Sequence, residues 1–232
     1  MGLKFMKFIA ISDTHCQTPA IPDGDVLLHA GDATFRGDVE EVTEFAAWMK
    51  SLPHKHKVFV PGNHDWLFQQ DEALARKFMS GITVLIDQGH EIDGVKIWGS
   101  PWQPEFNNWA FNLKRGNELA EKWAMIPEGT DILITHGPPQ KRLDRVEKMV
   151  HDWQIGLIRV GGENVGCWDL ARAVDAINPQ YHVFGHVHRG YGRTVYHSTT
   201  FLNASICNER YEPVQKPWEF ECTRKHQLRP HA

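Results

Sequence analysis

Five short clusters in this 232-residue chain combine imidazoles, carboxylates and a carboxamide with glycine: Asp13-x-His15, Gly31-Asp32, Gly62-Asn63-His64-Asp65, His136-Gly137 and Gly185-His186-x-His188. The donors are oxygen and nitrogen with no thiolate, a set suited to Zn, Mn or Fe. Neutral imidazole and carboxylate are the usual ligands of a catalytic metal that keeps an open coordination position. Asp13 and His15 are two residues apart, so in extended chain both point to one side, and the same holds for His186 and His188. The candidate ligands are therefore Asp13, His15, Asp32, Asn63, His136, His186 and His188. Singly, each has a blander reading, because an isolated His is more often a core or surface residue. The weight lies in five clusters in chain order, each following an apolar run.

Those runs are residues 5–12, 25–30, 57–60, 131–135 and 181–184. Nearly continuous apolar stretches suit central strands covered on both faces. Helices are expected between them. Residues 38–52 begin at Asp38, a natural N-cap, and carry a stripe of Val39, Val42, Phe45, Ala46, Met49 and Leu52 before Pro53. Further helices are expected over 71–79, 117–125 and 168–177. Strands at 82–87 and 95–98 read as a hairpin turning through 89–94, residues 194–204 as a second hairpin, and the tail after Trp218 as an edge strand. Residues 100–113 read as a long aromatic loop. The charged stretch 140–166 receives no assignment. The alternation predicts an α/β fold whose ligands gather beyond the carboxyl ends of the strands. Gly31, Gly62, Gly137 and Gly185 each adjoin a ligand, where a Cβ would have no room.

The totals narrow the class. Apolar residues make up 41 % and charged residues 23 %, ordinary for a globular protein. A net charge of −4 gives no broad basic face, which disfavours a nucleic-acid polymer as partner. The four cysteines include no Cys-x-x-Cys pair, and no apolar run approaches the ~18 residues of a membrane span. The expectation is a cytoplasmic protein with reduced thiols and no membrane association.

The five clusters resemble the signature blocks of the calcineurin-like metallophosphoesterase superfamily. A closer likeness is to the MPPED group of metallophosphoesterase-domain proteins, related to class III cyclic-nucleotide phosphodiesterases. It rests on Gly99-Ser-Pro-Trp-Gln-Pro-Glu-Phe106, Trp109-Ala-Phe-Asn112, Ile126-Pro-Glu-Gly129, Thr135-His-Gly-Pro-Pro139 and Asn203-Ala-Ser205, and it spans residues 5–218. The resemblance implies a single metallophosphoesterase domain over 1–232, built as a four-layer α/β/β/α sandwich around two mixed sheets. It implies two divalent metal ions, one held by Asp13, His15, Asp32 and His188, the other by Asp32, Asn63, His136 and His186, with Asp32 between them. His64 would be the catalytic acid.

The expected activity is hydrolysis of a small phosphoester, with a diester such as a cyclic nucleotide favoured. A hydroxide shared by the ions would attack phosphorus in line, and His64 would protonate the leaving group. The alternatives are a phosphomonoesterase or protein phosphatase, and a non-catalytic scaffold on the same fold. One departure stands out. Many relatives carry a second Asp three residues after the Asp of Gly-Asp, and it supports the catalytic His; here that position is Phe35. Either Asp65 or a backbone carbonyl must then orient His64. Arg36 and Asp65 are also candidate substrate-binding residues, and Arg36 has a second reading as a solvated surface charge. Trp66, Trp102, Phe106 and Trp109 form either a stacking wall for a nucleobase or the packing under a loop. His54, His56 and His90 read as surface residues.

Overall fold

The computed structural model describes residues 5–152 and 156–223. Two sheets form its centre. The first orders Trp218–Cys222, Met6–Ile11, Val26–His29, His56–Phe59 and Thr83–Val84. All its pairings are parallel except the outermost, where Trp218–Cys222 runs antiparallel to Met6–Ile11 as an edge strand. The second orders Gly192–Tyr196, Thr199–Asn203, Tyr181–Phe184, Ile132–Thr135, Val95–Ser100 and Gln88–Ile92, parallel in the middle and antiparallel at both margins.

Strand alternation builds the layers. Phe8, Ala10, Val26, Leu28, Val58 and Val60 meet Val95, Ile97, Ile132, Ile134, Val183 and Leu202 in a buried cluster between the sheets. Their odd-phase neighbours Ile9, Ile11, Leu27 and Phe59 face outward, under the helices Val39–Ser51 and Glu72–Phe78. On the far side Leu133, Phe184 and Phe201 lie under the helices Asn117–Trp123 and Trp168–Ile177. Each central strand is thus apolar on both faces, which is why its sequence is a run and not an alternation. Phe8 is fully buried, so Phe8→Ala is expected to cost ~3–5 kcal/mol.

The helix starts follow their caps. The Asp38 carboxylate accepts from the Glu41 N–H, and the Asp71 carboxylate accepts from the Leu74 N–H. Four local readings need correction. The expected hairpin over 82–87 and 95–98 is instead Gln88–Ile92 with Val95–Ser100. Its turn is Asp93-Gly94, both at positive φ, the two-residue connection that matches strand twist, and Gly89 lies inside a strand. Thr83–Val84 belongs to the other sheet. The unassigned stretch contains an antiparallel hairpin, Arg145–Asp152 with Gly156–Asn164. His54 is buried, its Nε2 3.0 Å from the Pro22 carbonyl oxygen, and is not a surface residue.

Candidate metal centre

The strand ends converge on one edge of the sandwich. Beyond Met6–Ile11 the chain forms an isolated bridge, Ser12 to Ser205, and the Ile206 N–H donates to the Ser12 carbonyl at 2.8 Å. This bridge joins the end of one sheet to the end of the other. Asp13, His15 and Asp32 then sit in adjacent turns: the Asp13 N–H donates to the Gly31 carbonyl and the His15 N–H to the Asp32 carbonyl. From the second sheet, the Gly185 N–H donates to the His136 carbonyl, which aligns His136 with His186.

All seven expected ligands meet here. The Nε2 atoms of His15 and His188 are 3.2 Å apart, and His188 Nε2 is 3.3 Å from an Asp13 carboxylate oxygen. On the other side His136 Nε2 lies 3.0 Å from Asn63 Oδ1 and 3.3 Å from Asp32 Oδ2. Asp32 Oδ2 is also 4.0 Å from His15 Nε2 and 4.0 Å from His64 Nε2, so it stands between the two groups. Two sets, Asp13 with His15 and His188, and Asp32 with His136 and His186, each bring their ligand atoms within 4.8 Å of one another. His64 forms a third such set with His15 and Asp32.

Backbone strain accompanies this convergence. Asp13, His15, Asp32 and His186 have φ of 53°, 43°, 54° and 67°, in the left-handed region that residues with a Cβ seldom occupy, at a cost of roughly 1–3 kcal/mol each. Gly31 has φ of 102°, and a Cβ on Gly185 would collide with the Asp13 carboxylate and Ser12. The expectation for Gly137 is corrected, because a Cβ there would meet only ordinary contact with Gln103.

Donor chemistry tests whether cations fit. Four rings have Nδ1 against a backbone carbonyl: His15 on Thr34, His136 on Ala30, His188 on Asn208 and His64 on Phe35, at 3.3, 2.9, 2.9 and 2.7 Å. A carbonyl only accepts, so Nδ1 carries the proton and Nε2 of the neutral ring presents a lone pair. His15 and His188 then point two lone pairs at each other, and His136 points one at a carboxamide oxygen. Divalent cations resolve those confrontations, and the residues fit them.

Charge in the metal-free site tells the same story. Burial would depress His136, but the adjacent Asp32 carboxylate outweighs it and holds the ring at about 9. Burial likewise opposes and Asp13 overrides for His188, also at about 9. Burial pushes His15 and His186 down to about 4. Asp13 and Asp32 would be raised by burial, yet the imidazoles beside them hold both carboxyls low. In the metal-free protein, protons on His136 and His188 thus play the part of cations.

Other candidates fall elsewhere. Asp65 is fully buried and does not line the cavity: its carboxylate accepts from the N–H groups of Ala33, Thr34 and Gly62 and from the Thr34 hydroxyl, and burial together with Asp32 raises it to about 6. Arg36 points away into solvent, with Asp38 at 3.3 Å and Glu41 at 3.4 Å, so its solvated reading matches the geometry. Phe35 supplies its carbonyl, and it is this carbonyl that orients His64. Trp66 and Trp102 are packing residues, with Trp102 donating to Asp87 under the Lys122 ammonium. Trp109 and Phe106 do line the cavity, and the Trp109 ring lies 4.2 Å from His64.

The sequence reading missed several supporting residues. The Ser205 hydroxyl donates to Asp13 at 2.9 Å, Asn203 donates to the Val187 carbonyl, and Tyr211 sets its ring edge-on 4.7 Å from His15. Asn203-Ala-Ser205 follows a strand that ends at the same sheet edge, and that position was the available signal. A cavity of about 840 Å³ opens above these supports, with His15, Asp32, Asn63, His64, His186 and His188 on its floor and Glu105, Phe106, Arg115, Glu147, Glu163, Arg189 and Glu209 in its outer wall.

A fold of this kind, with histidines and aspartates pooled at the joined ends of two mixed sheets, matches a known family model, calcineurin-like phosphoesterase, over residues 6–190. The chain belongs to that family. It is 40 % identical to human metallophosphoesterase domain-containing protein 1 over 92 % of this chain and 70 % of that one. It is 37 % identical to a UPF0046 protein of Caenorhabditis elegans over 97 % of this chain and 78 % of that one. Among solved structures it is similar to the phosphopantetheinyl hydrolase of Mycobacterium tuberculosis, at a TM-score of 0.59 and 16 % identity, covering 97 % of this chain and 98 % of that one. The chain is therefore a metal-dependent phosphoesterase by family, with His/Asp groups able to bind divalent ions.

Proposed function

We propose that the protein is a binuclear phosphodiesterase acting on small diesters, cyclic nucleotides among them. The observation that carries this reading is the 3.2 Å approach of the His15 and His188 Nε2 atoms, with Asp32 placed between them and a second donor group at His136. Asp13, His15, Asp32 and His188 would hold one ion, and Asp32, Asn63, His136 and His186 the other. Mn, Fe or Zn suit these donors. Such a pair of ions supplies Lewis acidity toward phosphoryl oxygens and a nucleophile generated from water.

The chain's own residues do the rest. His64, oriented by the Phe35 carbonyl at 2.7 Å, keeps Nδ1–H on that carbonyl and, as the imidazolium, gives its Nε2 proton to the departing oxygen beside Asp32, a contribution typically worth ~10²–10⁴-fold. Trp109, 4.2 Å from that ring, bounds the leaving-group side. The diester preference is supported by the two arginines of the cavity lining. Arg115 donates to the carbonyls of Gly166 and Val165, and Arg189 pairs with Glu147 and Glu209. Both are engaged by the protein, which leaves a second phosphate charge poorly matched. Four unpaired cysteines fit a reducing compartment such as the cytoplasm.

Turnover of bis-p-nitrophenyl phosphate against p-nitrophenyl phosphate with Mn²⁺ tests the reading. Faster diester hydrolysis is expected. Preference for the monoester would move the assignment to a phosphomonoesterase, and turnover of neither would leave the scaffold. His64→Ala should lower turnover of diesters with poor leaving groups far more than of p-nitrophenyl esters. Loss of a metal equivalent in that variant would make His64 a ligand instead.

A further inference from the structure

The loop after Asp32 offers no carboxylate directly to the His64 ring, yet two carboxylates grip its backbone. Five consecutive amides donate to them. The N–H groups of Ala33 and Thr34 go to Asp65, and those of Phe35, Arg36 and Gly37 go to a single oxygen of Glu41, at 3.0, 2.7 and 3.0 Å. Glu41 sits in the first turn of helix Val39–Ser51 with its side chain only 12 % exposed. The other face of the loop is closed by Gly37, whose φ is 66° and whose Cβ would strike the backbone of His64 and Trp66. The Gly37 carbonyl accepts from the Leu67 N–H at 3.0 Å. Between these fixed points lies the Phe35 carbonyl, 2.7 Å from His64 Nδ1.

We propose that Glu41 is a positioning residue for His64: by gathering three amides it fixes the peptide whose carbonyl holds the ring. A carboxylate one layer back does, through the backbone, what a direct Asp–His contact does elsewhere. Asp65 is the poorer probe of this idea, because it also binds the Gly62 N–H beside the ligand Asn63. Among the described residues, Glu41 bonds residues 35–37 and its own helix start. The catalytic consequence rests on the acid role proposed for His64; the positioning itself does not.

The test pairs a spectroscopic signal with kinetics. In Zn²⁺-loaded protein the His64 ring Nδ1–H should give a slowly exchanging ¹H–¹⁵N correlation, assigned by its loss in His64→Ala. Glu41→Ala should lose that signal to solvent exchange. Glu41→Gln, which keeps an acceptor oxygen, should retain it. Asp38→Ala removes the helix cap without touching the loop amides and should also retain it. In turnover, Glu41→Ala should slow an alkyl phosphodiester about tenfold or more and bis-p-nitrophenyl phosphate about twofold or less, and should add nothing in a His64→Ala background. An unchanged ring signal in Glu41→Ala, or its equal loss in Asp38→Ala, overturns the proposal. If His64→Ala slows both substrates alike, the acid role fails, while the ring signal still decides whether Glu41 positions His64.

Discussion

The cavity floor and its outer wall hold their side chains by different means. On the floor, each of four imidazoles is fixed by a carbonyl behind it, Asp13 accepts the Ser205 hydroxyl and the His186 N–H, and Asp32 accepts the His64 N–H. These bonds are buried or partly buried, and four of the floor residues sit on strained backbone. On the wall, Phe106 is 46 % exposed and Arg189 reaches two carboxylates across solvent. A buried hydrogen bond that is lost leaves a desolvated group behind, whereas an exposed ion pair exchanges its partner for water. The floor should therefore be intolerant and the wall permissive.

The largest expected effect is at the shared carboxylate. Asp32→Ala should remove metal uptake at both positions and reduce turnover to background, read by elemental analysis and diester assay. Retained metal would break the contrast at its strongest point.

Next comes pH. Metal uptake must displace the protons that Asp32 and Asp13 hold on His136 and His188. Affinity for each ion should rise about tenfold per pH unit between pH 6 and 8, with proton release seen by calorimetry in buffers of different ionisation enthalpy. The metal-free fold should respond in the opposite sense above neutrality. His136 and His188, raised from 6.5 to about 9, stabilise the fold fully below 6.5 and lose that contribution as pH rises through 9. His15 and His186, lowered from 6.5 to about 4, destabilise it as pH falls below 6.5. Thermal stability of metal-free protein should thus peak near pH 6.5, and metal should move the optimum upward. A flat profile would contradict the charges assigned to the floor.

Ser205→Ala tests the support one layer out. Losing the hydroxyl on Asp13 should weaken metal affinity ~10–100-fold with the fold intact. At the small end, Arg189→Ala should leave metal affinity and thermal stability unchanged and alter KM alone. A loss of metal there would mean that the wall, like the floor, fixes the centre.

The same contrast explains what could be read in advance. The central strands announced themselves because burial on both faces demands apolar runs, and the cluster of candidate ligands because its members follow those runs directly. Asp38 and Asp71 marked helix starts because a cap works through its own side chain. The supports were less visible. The Phe35 carbonyl does the work while its side chain suggests only a missing Asp, and Glu41 looks like any first-turn acid. Arg36 was read from its place in the chain, but two neighbouring carboxylates draw it outward. The hairpin Arg145–Asp152 with Gly156–Asn164 gave no apolar run, because it belongs to neither central sheet.

Anomalous scattering from metal-loaded crystals addresses the proposed two-ion centre most directly. The account predicts two ions per chain, one within ~2.0–2.2 Å of donors from His15 and His188 and the other equally close to His136 and His186, both bonded to Asp32. A single ion, or ions bound away from Asp32, would contradict it.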